Sequence, residues 1–436
     1  MQARLMLAAM ALLQAASLGI RTLQRGAEDT PLLLGLIAAS LLAAATCALL
    51  PARALAPLAS VVRPATSPTR GSARWPFFVL AGALLLTSVF TQQLWWDERG
   101  IRLAAAGIAS GGVEGLLEQY RVNAWLGPQH PPLVPALYAQ VSRLTNDSLI
   151  SLRLLDATAA LGVLVLADRL LTALLGAQRS VPALCLLLAS PLFLRLGSAI
   201  TSDMPALFFV MAALVAMQRL TSRPTDARAL CVGLCFGLAV LCRYTAALAI
   251  FPLAAMPILW RGPTRPVRHL GLAAATAALL FGAWILFAWQ AGLVEAQVEK
   301  ISRFAGNATA SGVFWRSLAE MLASRLPSAI GIYLVPVLLL GLVGARVRSR
   351  ENGFLLLWAA GIVGVVAVTA PLTRFMLPAF PAIAALMAPG LPQDETERTR
   401  VLLLALLLAG ITLAYYAQVD LGVPMELLPG TSIDLG

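Results

Sequence analysis

Two adjacent carboxylates, Asp97 and Glu98, stand where a long apolar run ends and polar sequence begins. The tryptophans Trp95 and Trp96 come directly before them, and tryptophan is enriched where a membrane helix meets water. A carboxylate that is partly withdrawn from water can act as a general base near neutral pH and take a proton from an attacking hydroxyl or amine. We therefore predict Asp97 and Glu98 as the catalytic pair, with Asp97 as the base. The alternative is a pair of solvated loop acids.

Three arginines within or beside apolar runs, Arg153, Arg243 and Arg374, are the candidate phosphate ligands. Guanidinium groups bind phosphate through charge-assisted, often bidentate hydrogen bonds. An ionisable group at bilayer depth costs ~2.5–3.5 kcal/mol, so each is expected to face a polar cavity or a partner. For Arg153 the alternative is an ion pair with Asp156 one helical turn away, and for Arg374 it is anchoring at the interface. Arg243 has no acidic neighbour within a turn, which favours a functional role.

Asp203, Gln129 and His130 complete the set of candidates. Asp203 is predicted as a second acidic site that orients the acceptor or, together with Asp97, holds a divalent cation such as Mg²⁺ or Mn²⁺. Its alternative role is to cap the helix that starts before Pro205. Gln129 and His130 precede a diproline turn and are predicted to contact a head group, and capping of that turn is the alternative for His130.

The composition places these residues in a membrane protein. The chain has 436 residues, of which 59% are hydrophobic and 12% charged, and its mean hydropathy is +0.82. The formal net charge of +11 comes mainly from arginines in short loops between apolar runs, as the positive-inside rule requires, so nucleic acid is not implied as a partner. The five cysteines all lie in apolar runs and predict no disulfide framework.

The apolar runs predict an all-α integral membrane protein with about eleven to thirteen transmembrane helices. Residues 1–74 are predicted to form an N-terminal hairpin with a basic cytoplasmic linker, residues 75–392 the catalytic transmembrane core, and residues 393–436 a last helix and an outer tail. Placing the basic loops in the cytoplasm puts the candidate site residues together on the extracytoplasmic side of the cell membrane.

Local patterns predict how the core is divided. Juxtamembrane helices are expected in the first large outer loop, over 113–125 and 133–144. The apolar tract around Arg243 is predicted to be two helices that meet at that residue. The remaining expectations are single crossings over 181–198 and 327–345, a flexible lid over 306–312 and a charged inner loop over 394–400.

Four short motifs, in order, resemble those of the GT-C superfamily of polytopic glycosyltransferases, and within it the protein mannosyltransferase and aminoarabinose transferase branch. The motifs are Trp96-Asp97-Glu98, Gln129-His130-Pro131-Pro132-Leu133, Ser202-Asp203-Met204-Pro205 and Arg374-Phe375-Met376-Leu377-Pro378. The resemblance covers roughly residues 75–392, and the ordered set is more specific than any single motif.

The resemblance implies an inverting transfer of a sugar from a polyprenyl-phosphate donor to a lipid, glycan or protein acceptor on the outer face of the membrane. In that picture Asp97 is the base and the arginines hold the lipid phosphate. Dependence on a divalent metal varies across the superfamily. Two positions depart from the pattern: His130 stands where some relatives have lysine, and Asp156 stands where relatives often have a small residue.

Two other functions use the same residues. A transporter or flippase of a lipid-linked saccharide would use the arginines without cleaving a bond, but it is expected to show repeated halves and charges near the middle of the membrane. A non-catalytic partner in an envelope complex would not need Asp97. The candidate charges gather toward one side, which favours the enzyme.

Overall fold

The computed structural model describes residues 2–25, 30–55, 74–91, 96–122, 130–259, 267–295, 298, 313–345, 349–369 and 372–418. Within these ranges the regular elements are helices, which confirms the predicted all-α class. The side chains of Asp97 and Gln129 lie outside what the structure describes.

The described helices follow one another along the chain. The sequence up to residue 222 forms α1 (Gln2–Arg25), α2 (Thr30–Leu49), α3 (Trp75–Thr91), α4 (Trp96–Val122), α5 (Leu133–Thr145), α6 (Leu149–Leu175), α7 (Ala177–Leu188), α8 (Pro191–Leu196) and α9 (Asp203–Ser222). The sequence after residue 222 forms α10 (Asp226–Cys242), α11 (Ile250–Leu259), α12 (Val267–Gln290), α13 (Val313–Glu320), α14 (Leu326–Ile330), α15 (Val335–Gly344), α16 (Arg350–Thr369), α17 (Phe380–Met387) and α18 (Glu395–Gln418). Short 3₁₀ turns lead into α11, α15 and α17, and a π-helical turn joins α13 to α14.

The length and apolar composition of several of these helices indicate an integral membrane protein. In the part of the chain that the structure describes, six helices are long and apolar enough to cross a membrane: α1, α6, α9, α12, α16 and α18. The predicted number of eleven to thirteen is reached only by including shorter or bent elements, such as the apolar stretches 34–49, 75–90, 177–188 and 244–259.

The N-terminal hairpin packs against the C-terminal helix. Helices α1 and α2 contact each other and both contact α18. The Gln14 side-chain amide donates to Thr412 Oγ1 at 2.9 Å, and the Arg400 guanidinium donates to the carbonyl of Leu50 at 2.7 Å. The two ends of the chain therefore support one flank of the core together.

Glycines allow α10 and α12 to approach closely. A Cβ atom at Gly233 would lie 2.3 Å from the carbonyl oxygen of Ala273, and one at Gly237 would lie 2.8 Å from Leu280 Cδ1. Small residues spaced by four are a known means of close helix packing in membranes. This contact fixes α10, and hence Arg243 directly after it, relative to the rest of the core.

Several local predictions are confirmed. The Gly111-Gly112 pair breaks the first outer segment, because Gly112 has a φ of 62° and kinks α4 into two parts. Helix α5 has 13 residues, which at 1.5 Å per residue gives about 20 Å and is too short to cross the hydrocarbon layer. The tract around Arg243 divides at that residue, since α10 ends at Cys242 and a 3₁₀ turn starts at Tyr244.

Four local predictions are wrong in their boundaries. The stretch 181–198 is two helices, because α7 ends before Ser190 and Pro191 starts α8. The stretch 327–345 bends by 102° near Gly331, whose φ of +99° suits glycine.

The other two corrections concern loops. Residues 291–325 are predicted to be an outer loop that includes the lid, but residues 313–325 are helical. The predicted lid at 306–312 lies outside the described residues. Residues 395–400 of the predicted inner loop are the first turns of α18, whose start is stabilised by Asp394 because its carboxylate accepts from the Glu397 amide at 2.9 Å.

Candidate functional site

Glu98 and Arg153 form a buried, two-bond ion pair. Arg153 Nε lies 2.9 Å from Glu98 Oε1 and Arg153 Nη2 lies 2.9 Å from Glu98 Oε2. The two side chains are 0% and 4% exposed, so the pair is removed from water. The alternative considered for Arg153, an ion pair with Asp156, is therefore wrong. Arg153 and Asp156 are spaced i, i+3 on α6, which is favourable for an ion pair. The Arg153 guanidinium nevertheless bonds to the carboxylate of Glu98 on α4.

Asp156 has a different partner, the hydroxyl of Tyr138. Tyr138 on α5 donates a hydrogen bond to Asp156 Oδ2 and lies 3.2 Å from the carbonyl oxygen of Thr201. Both Asp156 and Tyr138 are fully buried. Among the described residues, Asp156 Oδ1 and the hydroxyl of Thr201 have no hydrogen-bond partner. This part of the site therefore contains buried polar atoms that the described residues do not satisfy.

Asp203 and Arg243 form a second buried ion pair. Arg243 Nη1 donates to Asp203 Oδ2 at 2.8 Å and to Ser202 Oγ at 2.8 Å. The two side chains are 3% and 4% exposed. Asp203 is the first residue of α9, and Ser202 precedes it without a side-chain capping bond, so the capping role considered for Asp203 is wrong. Arg243 Nε is buried and has no hydrogen-bond partner among the described residues.

His130 joins this second pair from the other side. Its ring Nδ1 lies 3.3 Å from Ser202 Oγ, and its carbonyl oxygen accepts from the Tyr120 hydroxyl at 2.6 Å. His130, directly before the diproline turn, is fully buried. The sequence motif around His130 thus contributes to the same cluster as Asp203 and Arg243.

Arg374 reaches the cluster through an aromatic ring. The guanidinium carbon of Arg243 lies 5.0 Å from the centroid of the Phe375 ring, and that of Arg374 lies 5.5 Å from the same centroid. Both distances are in the range of cation–π contacts. Burial lowers the pKa of Arg374 to about 10, which still leaves the group charged at neutral pH. The structure therefore brings two positive charges to one phenylalanine.

We call these residues the buried cluster: Glu98, His130, Tyr138, Arg153, Asp156, Ser202, Asp203, Arg243, Arg374 and Phe375. Asp97 is the second residue of α4 and precedes Glu98, so its backbone lies beside the cluster. The cluster brings together every predicted site residue whose side chain is described. The positions predicted for the side chains of Asp97 and Gln129 lie outside the described residues.

A cation site is not formed by the described residues alone. They contain no group of three or more His, Cys, Asp or Glu side chains placed to hold a metal ion. Asp203, one of the two predicted ligands, uses Oδ2 for Arg243. The predicted binding of Mg²⁺ or Mn²⁺ by Asp97 and Asp203 stays a prediction.

Four residues of the cluster were not predicted as site residues: Tyr138, Ser202, Phe375 and Asp156, which was considered only as an ion-pair partner of Arg153. Tyr138 lies in a short amphipathic helix and is separated by 18 positions from the carboxylate that it contacts, so no local spacing rule connects them. Ser202 and Phe375 are neighbours of predicted residues within two of the motifs, and that adjacency was the available signal.

A family model matches the middle of the chain. Residues 129–288 match the family described as dolichyl-phosphate-mannose-protein mannosyltransferase. This range includes the diproline motif, Arg153, Asp203 and Arg243, and it excludes the Asp97 and Arg374 motifs. A search of curated protein sequences finds no match.

Solved structures match the fold over a longer range. ArnT from Cupriavidus metallidurans bound to undecaprenyl phosphate aligns with a TM-score of 0.53 and 16% sequence identity over 74% of this chain. The apo state of the same protein gives a TM-score of 0.53 and 18% identity, also over 74% of this chain. This chain spans 61% of the length of each of these structures. The chain therefore shares the fold of ArnT over this range, which confirms the predicted GT-C-like fold.

Proposed function

We propose that this membrane protein with a GT-C-like fold is a glycosyltransferase that takes its sugar from a polyprenyl-phosphate-linked donor. The observation that carries the proposal is the pair of guanidiniums at one phenylalanine, Arg243 and Arg374 at Phe375, in the same buried cluster as Glu98, the residue after Asp97. The matches to a mannosyltransferase family and to a structure bound to undecaprenyl phosphate support the same donor class.

The donor phosphate is held by Arg243 and Arg374. Both guanidiniums contact the Phe375 ring, at 5.0 and 5.5 Å from its centroid. A phosphate that both guanidiniums contact would accept charge-assisted hydrogen bonds from them and satisfy Arg243 Nε, which is buried without a hydrogen-bond partner in the described part of the chain. Arg153 takes no part in this, because Glu98 occupies its Nε and Nη2.

Asp97 is the general base of the proposed reaction. Its carboxylate accepts the proton of the acceptor's hydroxyl or amine while the acceptor's oxygen or nitrogen forms a bond to the anomeric carbon of the sugar. The bond between that carbon and the phosphate oxygen breaks, and polyprenyl phosphate leaves with the bonding electrons. Attack opposite the leaving group inverts the anomeric configuration. Arg243 and Arg374 stabilise the negative charge that develops on the phosphate.

We infer that the reaction takes place on the extracytoplasmic side of the cell membrane. Arg219 at the end of α9, Arg223 in the following turn and Arg228 at the start of α10 lie together, and the positive-inside rule favours a cytoplasmic position for that end. The cluster lies at the opposite end of α9, where Asp203 starts the helix. The acceptor is a lipid, glycan or protein that is present on that side.

The direct test is sugar transfer by the purified protein. The wild type is incubated with radiolabelled undecaprenyl-phosphate sugars and a membrane lipid and glycan extract, beside Asp97→Asn and the control Asp226→Asn. Asp226 is half exposed. It is the first residue of α10 and lies near the end of α9 opposite to Asp203. We expect label to move to a new product with the wild type and Asp226→Asn only.

Two outcomes would contradict the proposal. Transfer by Asp97→Asn at the wild-type rate would remove the general-base assignment, because an amide cannot accept the proton. Movement of the intact donor across a vesicle membrane, with no covalent product from any extract, would instead identify a flippase of lipid-linked saccharides.

A further inference from the structure

The five residues from Ser198 to Ser202, which we call the strap, lie between α8 and α9 and pass through the buried cluster. Each residue of the strap is 4% exposed or less. A non-helical segment at this depth needs partners for its backbone and side-chain polar groups, because no water reaches it. The identity of those partners shows what the strap is attached to.

Five side chains from separate parts of the chain form hydrogen bonds with the strap. Ser88 of α3 lies 2.6 Å from Ser198 Oγ, the Glu98 carboxylate of α4 accepts from the Ile200 amide at 2.9 Å, and the Tyr138 hydroxyl of α5 lies 3.2 Å from the Thr201 carbonyl oxygen. His130 and Arg243 both contact Ser202 Oγ, at 3.3 Å and 2.8 Å. The strap thus contacts Glu98, His130, Tyr138 and Arg243 of the buried cluster directly before the chain reaches Asp203.

Both carboxylate oxygens of Glu98 accept hydrogen bonds from other groups of the protein. Oε1 accepts from Arg153 Nε and from the backbone amide of Ile200, each at 2.9 Å, and Oε2 accepts from Arg153 Nη2. Arg153 Nη1 donates to the carbonyl of Val89 at 3.1 Å. The pair therefore joins the end of α3, the start of α4, helix α6 and the strap at one point.

We propose that Glu98 and Arg153 are positioning residues that hold Asp97 at a fixed place relative to the strap and Asp203, and that neither contacts a substrate. Glu98 follows Asp97 directly at the start of α4, so fixing the Glu98 carboxylate on the Ile200 amide fixes the backbone that carries Asp97. The two adjacent acids then have separate roles. The catalytic part of this inference rests on the proposed function, whereas the structural part does not.

The pair can be tested by removing its charges singly and together. Glu98→Gln keeps an oxygen for the Ile200 amide but leaves Arg153 as a buried, unpaired cation, and Arg153→Leu leaves Glu98 as a buried, unpaired anion. The double variant Glu98→Gln/Arg153→Leu contains neither charge and keeps the acceptor for Ile200. Neutral replacement of a whole buried ion pair is tolerated far better than loss of one partner. Arg153→Lys, which keeps the charge but not the two-bond geometry, serves as a milder single variant.

Transfer kinetics distinguish positioning from direct participation. Misplacement of a catalytic group by ~1 Å can cost about 100-fold, so we expect each single variant to lose about that factor in kcat, with the donor KM within about twofold of wild type. The double variant should recover at least about tenfold of that loss. A double variant as inactive as Glu98→Gln would assign Glu98 to the chemistry, and a raised donor KM in every Arg153 variant would assign Arg153 to the phosphate. Either result overturns the proposal.

Amide hydrogen exchange tests the same proposal without any substrate. In the purified full-length protein, we expect peptides that contain the strap to exchange faster in Glu98→Gln, Arg153→Leu and Arg153→Lys, and to return toward the wild-type rate in the double variant. The control Arg74→Leu breaks an ion pair with Asp168 at the far end of α6 and should leave the strap unchanged. Unchanged exchange at the strap in all three single variants would overturn the proposal even if the wild type transfers sugar, and the expected exchange pattern would support it even if no transfer is found.

Discussion

Helix α6 carries a buried carboxyl near each end, and the two have different surroundings. Asp156 and Asp168 are separated by ~18 Å along the helix axis, at 1.5 Å per residue. Asp156 lies in the buried cluster, where its partner is the neutral hydroxyl of Tyr138. Asp168 pairs with the guanidinium of Arg74. Among the described residues, Asp168 on α6 therefore has a cationic partner and Asp156 on the same helix has a neutral one.

The surroundings of Asp168 form a closed network, which we call the clasp. It consists of Asp168, Arg74, Thr172 and Ser180. Arg74 Nη1 also donates to Thr172 Oγ1 at 3.0 Å, and Thr172 donates to Ser180 Oγ at 2.9 Å. Ser180 in turn donates to Asp168 Oδ1 at 3.2 Å. The clasp thereby joins the residue before α3 to α6 and α7, with its positive and negative charges balanced.

The buried cluster differs because some of its polar atoms have no hydrogen-bond partner among the described residues. These atoms are Asp156 Oδ1 and Arg243 Nε, and Thr201 Oγ1 beside the cluster is also buried without one. Unsatisfied buried groups are rare, and each requires an explanation such as a ligand or a catalytic role. The comparison supports a structural role for the clasp and the proposed ligand site in the cluster.

Loss of the clasp's carboxylate should give the largest change in stability. Asp168→Asn leaves Arg74 without its counter-charge at a site where both side chains are mostly buried, 17% and 12% exposed. We expect the free energy of unfolding to fall by about 3 kcal/mol, as for other broken buried ion pairs. The measurement is thermal unfolding of the purified variant in detergent, and the folded fraction should transfer sugar at the wild-type rate. A loss of kcat in that folded fraction would show that the clasp also serves catalysis.

The matched change in the cluster should affect stability less. Asp156→Asn removes no counter-charge, because the recorded partner of Asp156 is the Tyr138 hydroxyl, and an asparagine oxygen can accept the same hydrogen bond. We expect the free energy of unfolding to change by less than about 1 kcal/mol, measured by the same thermal unfolding experiment. If Asp156→Asn proved as destabilising as Asp168→Asn, the contrast between the two ends of α6 would be lost.

Asp147→Asn, which changes a surface carboxyl, should have the smallest effect on stability. It gives a reference for the effects of Asp168→Asn and Asp156→Asn. Asp147, in the turn after α5, accepts from Ser142 Oγ at 2.6 Å and from Arg102 Nη2 at 2.5 Å. Burial raises the pKa of Asp147, but the hydrogen bonds from Ser142 and Arg102 and the charge of Arg102 lower it below its ordinary value. The carboxylate therefore stabilises the folded state above the unfolded pKa of about 4, and this contribution is lost as the pH falls through the folded pKa.

The check on Asp147 is the Tm of the wild type and of Asp147→Asn between pH 7 and pH 3. Because Asp147 is 50% exposed, we expect a small difference that is present at neutral pH, shrinks below about pH 4 and weakens with added salt. A difference that grew toward low pH would have the wrong sign for a lowered pKa.

Sequence patterns predicted the helices and the division at Arg243, because both depend on local hydropathy. The break at Ser190-Pro191 and the bend at Gly331 were not predicted, although proline and glycine were there as signals. The apolar composition continues across both positions, so hydropathy alone indicated single helices.

The partners within the site were less predictable than its members. The local spacing of Arg153 and Asp156 predicted an ion pair that does not form, because Glu98 lies 55 positions away in the chain but beside Arg153 in space. The clasp gave no sequence signal either, since Arg74 and Asp168 each stand in segments that look like ordinary helix ends. Contacts of this kind depend on how helices pack, which a single sequence does not show.

The most direct measurement compares one arginine from each region for binding of undecaprenyl phosphate. Arg374→Leu belongs to the cluster and Arg74→Leu to the clasp, and both remove one guanidinium. A hydrogen bond to a charged group is worth ~1.5–3 kcal/mol, so we predict that the Kd of Arg374→Leu rises about tenfold or more while that of folded Arg74→Leu stays within about twofold of wild type. An unchanged Kd for Arg374→Leu, or an equal loss in both variants, would contradict the assignment of the buried cluster as the site of the lipid phosphate.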